Sequence, residues 1–265
     1  MKKITSLFVA MLLLLSSCGS VPLTGRKQVL LVSDQEVLSS SLTQYSDYMK
    51  SAKKSSSKDG AAMVTRVGKK IAAATEQYLR NNGLESEIKN FAWEFNLVND
   101  PQVNAFCMPG GKIVVYEGLM QLVSSDDELA VVVGHEVAHA VAKHSNERMS
   151  QQLMAQYGAQ ILGQALSNKS AAVQKIGASV YGLGAQYAVM LPFSRKHESE
   201  ADYMGLVFMA MAGYNPAVAV NFWQKMSAGK SGSTPEFMST HPSDATRINE
   251  IKQHLPEIEK YRVKK

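Results

Sequence analysis

Two histidines and a glutamate with the spacing of a metal site lie near the middle of this 265-residue chain. His135 and His139 are four residues apart, so on a helix their side chains would share one face and could bind one ion. Glu136 would lie beside them, where a carboxylate can accept a proton from an attacking water molecule. The pattern His-Glu-x-x-His is typical of zinc hydrolases and predicts one Zn²⁺ per chain as the cofactor. The alternative, two core histidines and an unrelated glutamate, would bury a charge without a partner.

The sequence around the motif indicates the helix that this chemistry needs. Ser125 and Glu128 have the spacing of a capping box at a helix start, and apolar residues follow at helical spacing. We therefore predict one helix from Ser125 to about Met149. His144, five residues after His139, would lie on the far side of that helix and is not expected to take part in the site.

A catalytic zinc site needs a third protein ligand, which must come from elsewhere in the chain. The short-spaced histidine continuation of some zinc proteases is absent, because Ser145 stands at its position. Glu198 and Asp202 are four residues apart in a predicted helix, and Glu200 between them points elsewhere. We predict Glu198 as the third ligand and Asp202 as the carboxylate that braces a metal-bound histidine. The alternative is a solvated acidic start of a helix.

The first residues, 1–17, have the pattern of a secretion signal, because Lys2 and Lys3 precede an apolar stretch too short to span a bilayer. The stretch ends in two serines and Cys18, similar to a bacterial lipobox. We expect Cys18 to be lipidated and to hold the mature chain to a membrane. The alternative is an ordinary signal peptide with an incidental cysteine. Gly19 favours the outer membrane of a two-membrane cell, with the protein facing the periplasm.

Composition and pattern predict one globular domain, 33–265, after a short tether, 18–32. The net charge of +5 is mild and forms no basic stripe, so nucleic acid is not an expected partner. Helical patterns predominate, and 156–190 predicts two helices that either pack closely or form a movable flap. Strands are predicted in three segments, 91–98, 103–107 and 113–116. The expected fold is α+β and mostly helical, with a small three-stranded antiparallel sheet.

Several motifs together resemble one known family. They are Pro22–Arg26, Asn104–Phe106 with Pro109–Gly111, Gly134–His139, Leu191–Asp202, Ala212–Pro216 and Thr240–Pro242 with Arg247–Ile248. The chain is similar to the HtpX-like and CAAX-prenyl-protease-like zinc metallopeptidases, with the His-Glu-x-x-His and Glu-x-x-x-Asp motifs of gluzincins. It looks closest to their secreted bacterial branch, with BepA and LoiP, and to the mitochondrial Oma-type proteases. The resemblance implies a zincin-like fold and makes Glu198 the third zinc ligand.

The resemblance also implies a role for a late histidine. It places His241 near the metal, where the imidazole could donate a hydrogen bond to an oxyanion or cover the metal in a resting state. Arg247 is a weaker candidate for contact with the oxyanion or the substrate. An edge strand of the sheet, at Asn104, Ala105 and Phe106 or at the next strand, could pair with an extended substrate backbone.

These observations predict a membrane-anchored zinc endopeptidase that cleaves unfolded or misassembled envelope proteins. Its expected partners are these unfolded or misfolded substrates and, through lipidated Cys18, the membrane. Two other functions stay open from the sequence. One is a chaperone-like lipoprotein that holds clients and rarely cuts, and the other is a zinc hydrolase of cell-wall peptides.

Overall fold

The computed structural model describes residues 18–185, 191–228, 237, 241 and 245–263. The predicted secretion signal lies outside these residues, and so does the side chain of Cys18. None of the described helices combines the length and the hydrophobicity that crossing a membrane requires.

Helices account for most of the described chain. In order they are α1 Asp34–Ser51, α2 Lys58–Asn81, α3 Glu85–Ile88, α4 Glu117–Met120, α5 Asp126–Val141, α6 His144–Leu166, α7 Ala171–Ala185, α8 Leu191–Met211, α9 Val218–Ala228 and α10 Ala245–Ile258. The strands are β1 Cys18–Ser20, β2 Lys27–Val29, β3 Glu94–Val98, β4 Ala105–Met108 and β5 Lys112–Tyr116. The predicted α+β, mostly helical fold is confirmed.

The three-stranded sheet is mixed, and the prediction of an antiparallel sheet was wrong. β5 is the central strand, antiparallel to β4 and parallel to β3. Gly110 and Gly111 adopt positive φ in the predicted tight turn between β4 and β5. The connection 99–104 instead leads from β3 to the far edge of the sheet, where β4 forms, and leaves between them the position that β5 occupies. Parallel neighbours need a crossover of roughly a dozen residues, and β4 with its two connections supplies it. Alternation of apolar residues marks strands but does not specify which of them are neighbours.

The predicted long helix from Ser125 to Met149 is divided into α5 and α6. α5 starts at the predicted cap, where the Ser125 side chain accepts a hydrogen bond from a backbone N–H. It ends before Lys143, which has φ 57° and ψ 33° and directly precedes the first residue of α6, His144. This left-handed conformation is costly for a residue with a side chain. An ion pair of 2.6 Å with Asp34 on α1 supports it, and sequence periodicity could not show that contact.

The segment 18–32, predicted to be a tether, is packed against the domain. β1 and β2 form an antiparallel hairpin, and Val21 between them is 1% exposed. Arg26 forms ion pairs with Glu147 on α6 and Glu200 on α8. The hairpin thereby joins two helices that flank the predicted metal site.

The core lies around α5, which packs against α2, α8 and α9. α5 and α8 approach most closely at two glycines. A Cβ atom on Gly134 would lie 2.9 Å from the carbonyl oxygen of Gly205, closer than non-bonded atoms come. This contact brings the helix that carries the histidine motif against the helix that carries Glu198.

The glycine- and alanine-rich segment 156–190 contains two helices, as predicted. α6 and α7 are separated by a short break and pack against each other, with the Tyr181 hydroxyl donating to the carbonyl of Ala155 at 3.0 Å. Both helices leave apolar side chains on the surface, among them Ile161 and Ile176 at 68% and 63% exposure. Residues 186–190 lie outside the described part of the chain.

Candidate metal centre

Four side chains form the candidate metal centre: His135 and His139 of α5, Glu198 of α8 and His241. Their donor atoms all lie within 4.8 Å of one another. The Nε2 atoms of the two motif histidines are 3.1 Å apart, and they lie 3.3 Å and 3.4 Å from the Glu198 carboxylate oxygens. Ligands about 2.0–2.1 Å from a tetrahedral zinc ion are separated by about 3.3 Å. The arrangement therefore fits zinc.

The ring orientation of His135 is set from behind by a carboxylate. His135 Nδ1 lies 2.9 Å from an oxygen of Asp202, and Arg247 donates to both oxygens of that carboxylate. Burial raises the pKa of Asp202, but the charge and hydrogen bonds of Arg247 outweigh it and hold that pKa below its ordinary value. Because the Asp202 carboxylate can only accept a hydrogen bond, Nδ1 of His135 carries the proton. Nε2 of His135 then faces the other atoms that could bind the metal.

The cluster favours a positive charge among its donor atoms. Burial opposes protonation of His135, but hydrogen bonds to Asp202 and Glu198 prevail and raise the pKa of His135 to about 9. Burial also raises the pKa of Glu198, and hydrogen bonds from His135 and His241 reverse this, holding its pKa far below the ordinary range. A metal cation would supply the positive charge that these side chains stabilise, and it would displace a proton on binding.

His139 is oriented by His144, a residue that the helical pattern predicted to lie outside the site. Their Nδ1 atoms are 2.8 Å apart, and His144 Nε2 lies 3.0 Å from Glu200. Burial lowers the pKa of His144 to about 4, so its ring is neutral. It therefore donates to Glu200 through Nε2 and accepts from His139 through Nδ1. His139 Nε2 is left with its lone pair towards the cluster, as a metal ligand needs.

The exclusion of His144 assumed a continuous helix. The break at Lys143 turns the start of α6, so that the imidazole meets His139 instead of the opposite face. The sequence carries no glycine or proline at this break that could have indicated it. Glu200, predicted to point away from the metal, does so, but its partner is His144.

Glu136 lies beside the candidate ligands with one oxygen held and one available. Oε2 accepts a hydrogen bond of 3.1 Å from the backbone N–H of Cys107. Oε1 is buried and has no hydrogen-bond partner among the residues that the structure describes. Burial raises the pKa of Glu136 above its ordinary value. A carboxylate with these properties is suited to exchange a proton with a small molecule in the adjoining cleft.

The cleft beside Glu136 has a volume of about 360 Å³. Its lining includes Cys107, His139, Arg148 and His241. Cys107 is a free cysteine, and burial raises the pKa of its thiol well above the ordinary value. The thiol is therefore poorly suited to act as a nucleophile or a metal ligand.

His241 reaches the cluster from the segment that precedes α10. Nδ1 lies 3.0 Å from a Glu198 oxygen and Nε2 lies 3.4 Å from Oε1 of Glu136. Its ring stacks on Phe237 at 4.6 Å, and Phe237 stacks on Trp223 of α9. The imidazole therefore lies between the candidate ligands and the candidate base.

The other predicted site residues take different positions. Arg247 is 5% exposed, and its contacts include Asp202, Glu198 and the carbonyl oxygen of His241. Asn104, Ala105 and Phe106 lie at or next to β4, an edge strand of the described sheet. Asn104 accepts the Ala105 N–H through its side chain, and Phe106 packs edge-on against aromatic rings. The backbone N–H of β4 that reaches the candidate base belongs to Cys107.

Comparison with known proteins gives a family match over most of the chain. The sequence model described as Peptidase family M48 matches residues 65–255. The mitochondrial metalloendopeptidase OMA1 of Schizosaccharomyces pombe is 35% identical over 205 residues, which cover 74% of this chain and 53% of that protein. The beta-barrel assembly-enhancing protease of Yersinia pestis is 32% identical over 174 residues, covering 61% and 36%. OMA1 of Arabidopsis thaliana is 39% identical over 168 residues, covering 63% and 33%. The chain thus spans about a third to a half of the length of these relatives.

Proposed function

The chain belongs to peptidase family M48, and we propose from this premise that it is a membrane-anchored zinc endopeptidase of the cell envelope. The observation that carries the proposal is the convergence of His135, His139 and Glu198 beside Glu136, whose Oε1 accepts no hydrogen bond from the residues that the structure describes. A bound zinc ion would supply Lewis-acid chemistry, polarising a peptide carbonyl and making a water molecule more acidic.

Glu136 is the proposed general base and acid. Its oxygen Oε1 takes a proton from the attacking water, and the carboxyl group later gives that proton to the leaving amide nitrogen. Burial raises the pKa of Glu136, which brings the carboxylate closer to the basicity that this exchange needs. The hydrogen bond from Cys107 holds the second oxygen and so orients the first.

His241 is proposed to contribute in one of two ways. Its Nε2, 3.4 Å from Glu136, is placed to donate a hydrogen bond to an oxyanion formed in the same cleft. Its Nδ1 lies among the ligand atoms, where it supplies a fourth donor and would close the site to water. Asp202 and Arg247 are proposed to hold His135, and Arg247 acts there rather than on the substrate.

The proposed substrates are unfolded or misassembled envelope proteins. β4 lies at the edge of the described sheet and next to Glu136, so an extended peptide could pair with its backbone. Pairing of this kind reads the backbone and little of the side chains, which suits unfolded chains. The name of the Yersinia pestis relative, a beta-barrel assembly-enhancing protease, supports an envelope role.

The test combines zinc analysis and casein cleavage on the full chain purified in detergent. We expect one zinc ion per chain in the parent and in Glu136→Gln, with cleavage in Glu136→Gln reduced at least about 100-fold. Glu198→Ala should lose both zinc and cleavage, and the surface change Glu259→Gln should lose neither. Absence of zinc from the parent would refute the proposal. A Glu136→Gln protein that keeps its cellular role would favour the client-holding alternative, and cleavage of cell-wall peptides but not casein would favour the other.

Lipidation of Cys18 is proposed to anchor the protein on the periplasmic side of the outer membrane. The lipobox-like sequence supports this, and a Cys18→Ala variant tests it in a two-membrane bacterium. We expect the parent to sediment with outer-membrane fractions and the variant to be released into the soluble periplasmic fraction. A variant that stays with the membrane would contradict the anchor without affecting the proposed chemistry.

A further inference from the structure

A second cluster of charged side chains lies behind His139, with its two carboxylates buried. Arg26 of the N-terminal hairpin pairs with both oxygens of Glu147, at 2.9 Å and 2.7 Å, and donates through Nε to Glu200 at 2.8 Å. Thr24 of the same hairpin donates its hydroxyl to the other oxygen of Glu200. Both glutamate side chains are less than 7% exposed. The proposed mechanism assigns no role to any of these residues.

The cluster is connected to the candidate metal centre by an unbroken series of hydrogen bonds. Arg26 and His144 both donate to Oε2 of Glu200, and His144 in turn accepts from His139. The guanidinium only donates and the carboxylate only accepts, so the proton between His144 and Glu200 lies on His144 Nε2. When His139 binds a metal through Nε2, its Nδ1 carries the proton and donates to Nδ1 of His144, and the series then holds the His139 ring in the orientation a ligand needs.

The ring of His144 is also held on its face by His197, which in turn contacts Glu147. His197 stacks on it with ring centres 4.2 Å apart and an angle of 14°. His197 Nε2 lies 2.9 Å from the Glu147 oxygen that Arg26 also contacts. Two groups determine where His144 lies, Glu200 and His197. Arg26 contacts Glu200 directly and is linked to His197 through Glu147.

We propose that Arg26 is a positioning residue for the metal centre, acting through Glu200 and His144 on the metal ligand His139. The N-terminal hairpin is then a part of the metal-binding unit, although it carries no ligand. The inference rests on the proposed zinc site. Residues behind a metal-bound histidine commonly change metal affinity about 10–100-fold when they are removed.

The experiment measures the zinc dissociation constant of the full chain by competition with a chelating dye. We expect Arg26→Ala and Glu200→Ala to weaken zinc binding about 10–100-fold. Glu200→Gln should stay within about threefold of the parent, because its amide oxygen can accept from both Arg26 and His144 while its NH₂ group donates to Thr24. Arg66→Ala is the matched control, since Arg66 makes a similar two-point ion pair with Asp126 on the helix that bears the motif. The zinc dissociation constant of Arg66→Ala should stay within about twofold of the parent value.

Two further measurements distinguish a positioning role of Arg26 at the metal site from a general effect on protein stability. In the double variant Arg26→Ala/Glu200→Ala, the loss of zinc affinity should be clearly smaller than the two single losses added as free energies, because Arg26 acts largely through Glu200. The visible absorption of the Co²⁺-substituted protein should change in Glu200→Ala and return to the parent spectrum in Glu200→Gln. If Arg26→Ala does not fold, Arg26→Lys takes its place, since it keeps the charge but not the two-point contact with Glu147.

Folded Arg26→Ala and Glu200→Ala proteins that bind zinc as tightly as the parent would overturn the inference. So would additive losses in the double variant, or equal losses in Glu200→Ala and Glu200→Gln. If the parent binds zinc and cleaves casein while these variants are unchanged, the inference alone fails. If the parent binds no zinc, the proposed function fails.

Discussion

At the scale of single residues, the two motif histidines are supported by carboxylates in different surroundings. Asp202 receives donors on both oxygens, from Arg247 on one and from Arg247 and His135 on the other. Glu200 receives its histidine and its arginine on the same oxygen and a hydroxyl group on the other. A hydroxyl can accept as well as donate, whereas a guanidinium cannot. The two carboxylates should therefore respond differently to replacement by an amide.

The first prediction concerns Asp202→Asn. In either orientation the new NH₂ group would face a donor, so His135 or Arg247 loses an acceptor. We expect zinc affinity to fall about 10–100-fold, in contrast to the tolerated change at Glu200. The measurement is the zinc dissociation constant of the variant beside the parent and Glu200→Gln. Equal affinities in all three would contradict the assignment of Asp202 as the support of His135.

The second prediction concerns acid stability and Glu147. Burial raises the pKa of Glu147, but hydrogen bonds and charges from His197 and Arg26 outweigh it and lower that pKa from 4.5 to about 2. The unfolded chain therefore binds the proton more readily than the folded one, so the carboxylate stabilises the fold above about pH 4.5 and this contribution is lost as pH falls towards 2. Glu147→Gln removes the effect.

Urea unfolding of the zinc-free protein at pH 5 and at pH 3 measures this contribution. The parent should lose more unfolding free energy between the two values than Glu147→Gln does. The same loss in both proteins would show that Glu147 is not held ionised by its partners.

At the scale of elements, the site depends on how closely α5 and α8 pack. Backbone meets backbone at Gly134 and Gly205, next to His135 and one turn or so beyond Asp202. No rotamer change can relieve a Cβ atom placed there, because the obstacle is main chain. The separation of the two helices determines the distance between the histidine ligands and Glu198.

The third prediction follows from this packing. Gly134→Ala should destabilise the protein by about 1–3 kcal/mol, despite the better helix propensity of alanine, and should weaken zinc binding by moving the ligands apart. Gly163→Ala on α6 is the control, since a Cβ there meets nothing within 4 Å, and it should stabilise by up to about 1 kcal/mol. Urea unfolding and zinc titration measure both. A Gly134→Ala protein as stable as the parent would refute the close approach.

At the scale of the whole molecule, the proposed zinc ion would join parts of the chain that are far apart in sequence. Its candidate ligands lie on α5, on α8 and in the segment before α10. An ion that binds the folded but not the unfolded chain stabilises the fold by about 2.7 kcal/mol at one hundred times its dissociation constant.

The fourth prediction is therefore that EDTA lowers the melting temperature reversibly. For a domain of this size about 1 kcal/mol corresponds to roughly 2–4 °C, so we expect a decrease of roughly 5–10 °C that added zinc restores. Differential scanning calorimetry measures it. Glu198→Ala, which should not retain zinc, should melt at the same temperature with and without EDTA. A parent insensitive to EDTA would argue against a metal that joins these elements.

Features that depend on neighbouring residues could be predicted from the sequence alone. Capping by Ser125 starts the motif helix, and spacings of four residues place His135 with His139 and Glu198 with Asp202 on common faces. These are local properties, because hydrogen bonds and side-chain directions within a helix repeat every few residues.

Three features could be assigned only from the folded structure: the order of strands in the sheet, the position of His144 and the role available to Arg26. Arg26 meets its two glutamates across 121 and 174 residues of chain. The left-handed turn at Lys143 is supported by an ion pair with a residue 109 positions away. Contacts over such distances form only when the helices have packed, so no local pattern of residue types specifies them.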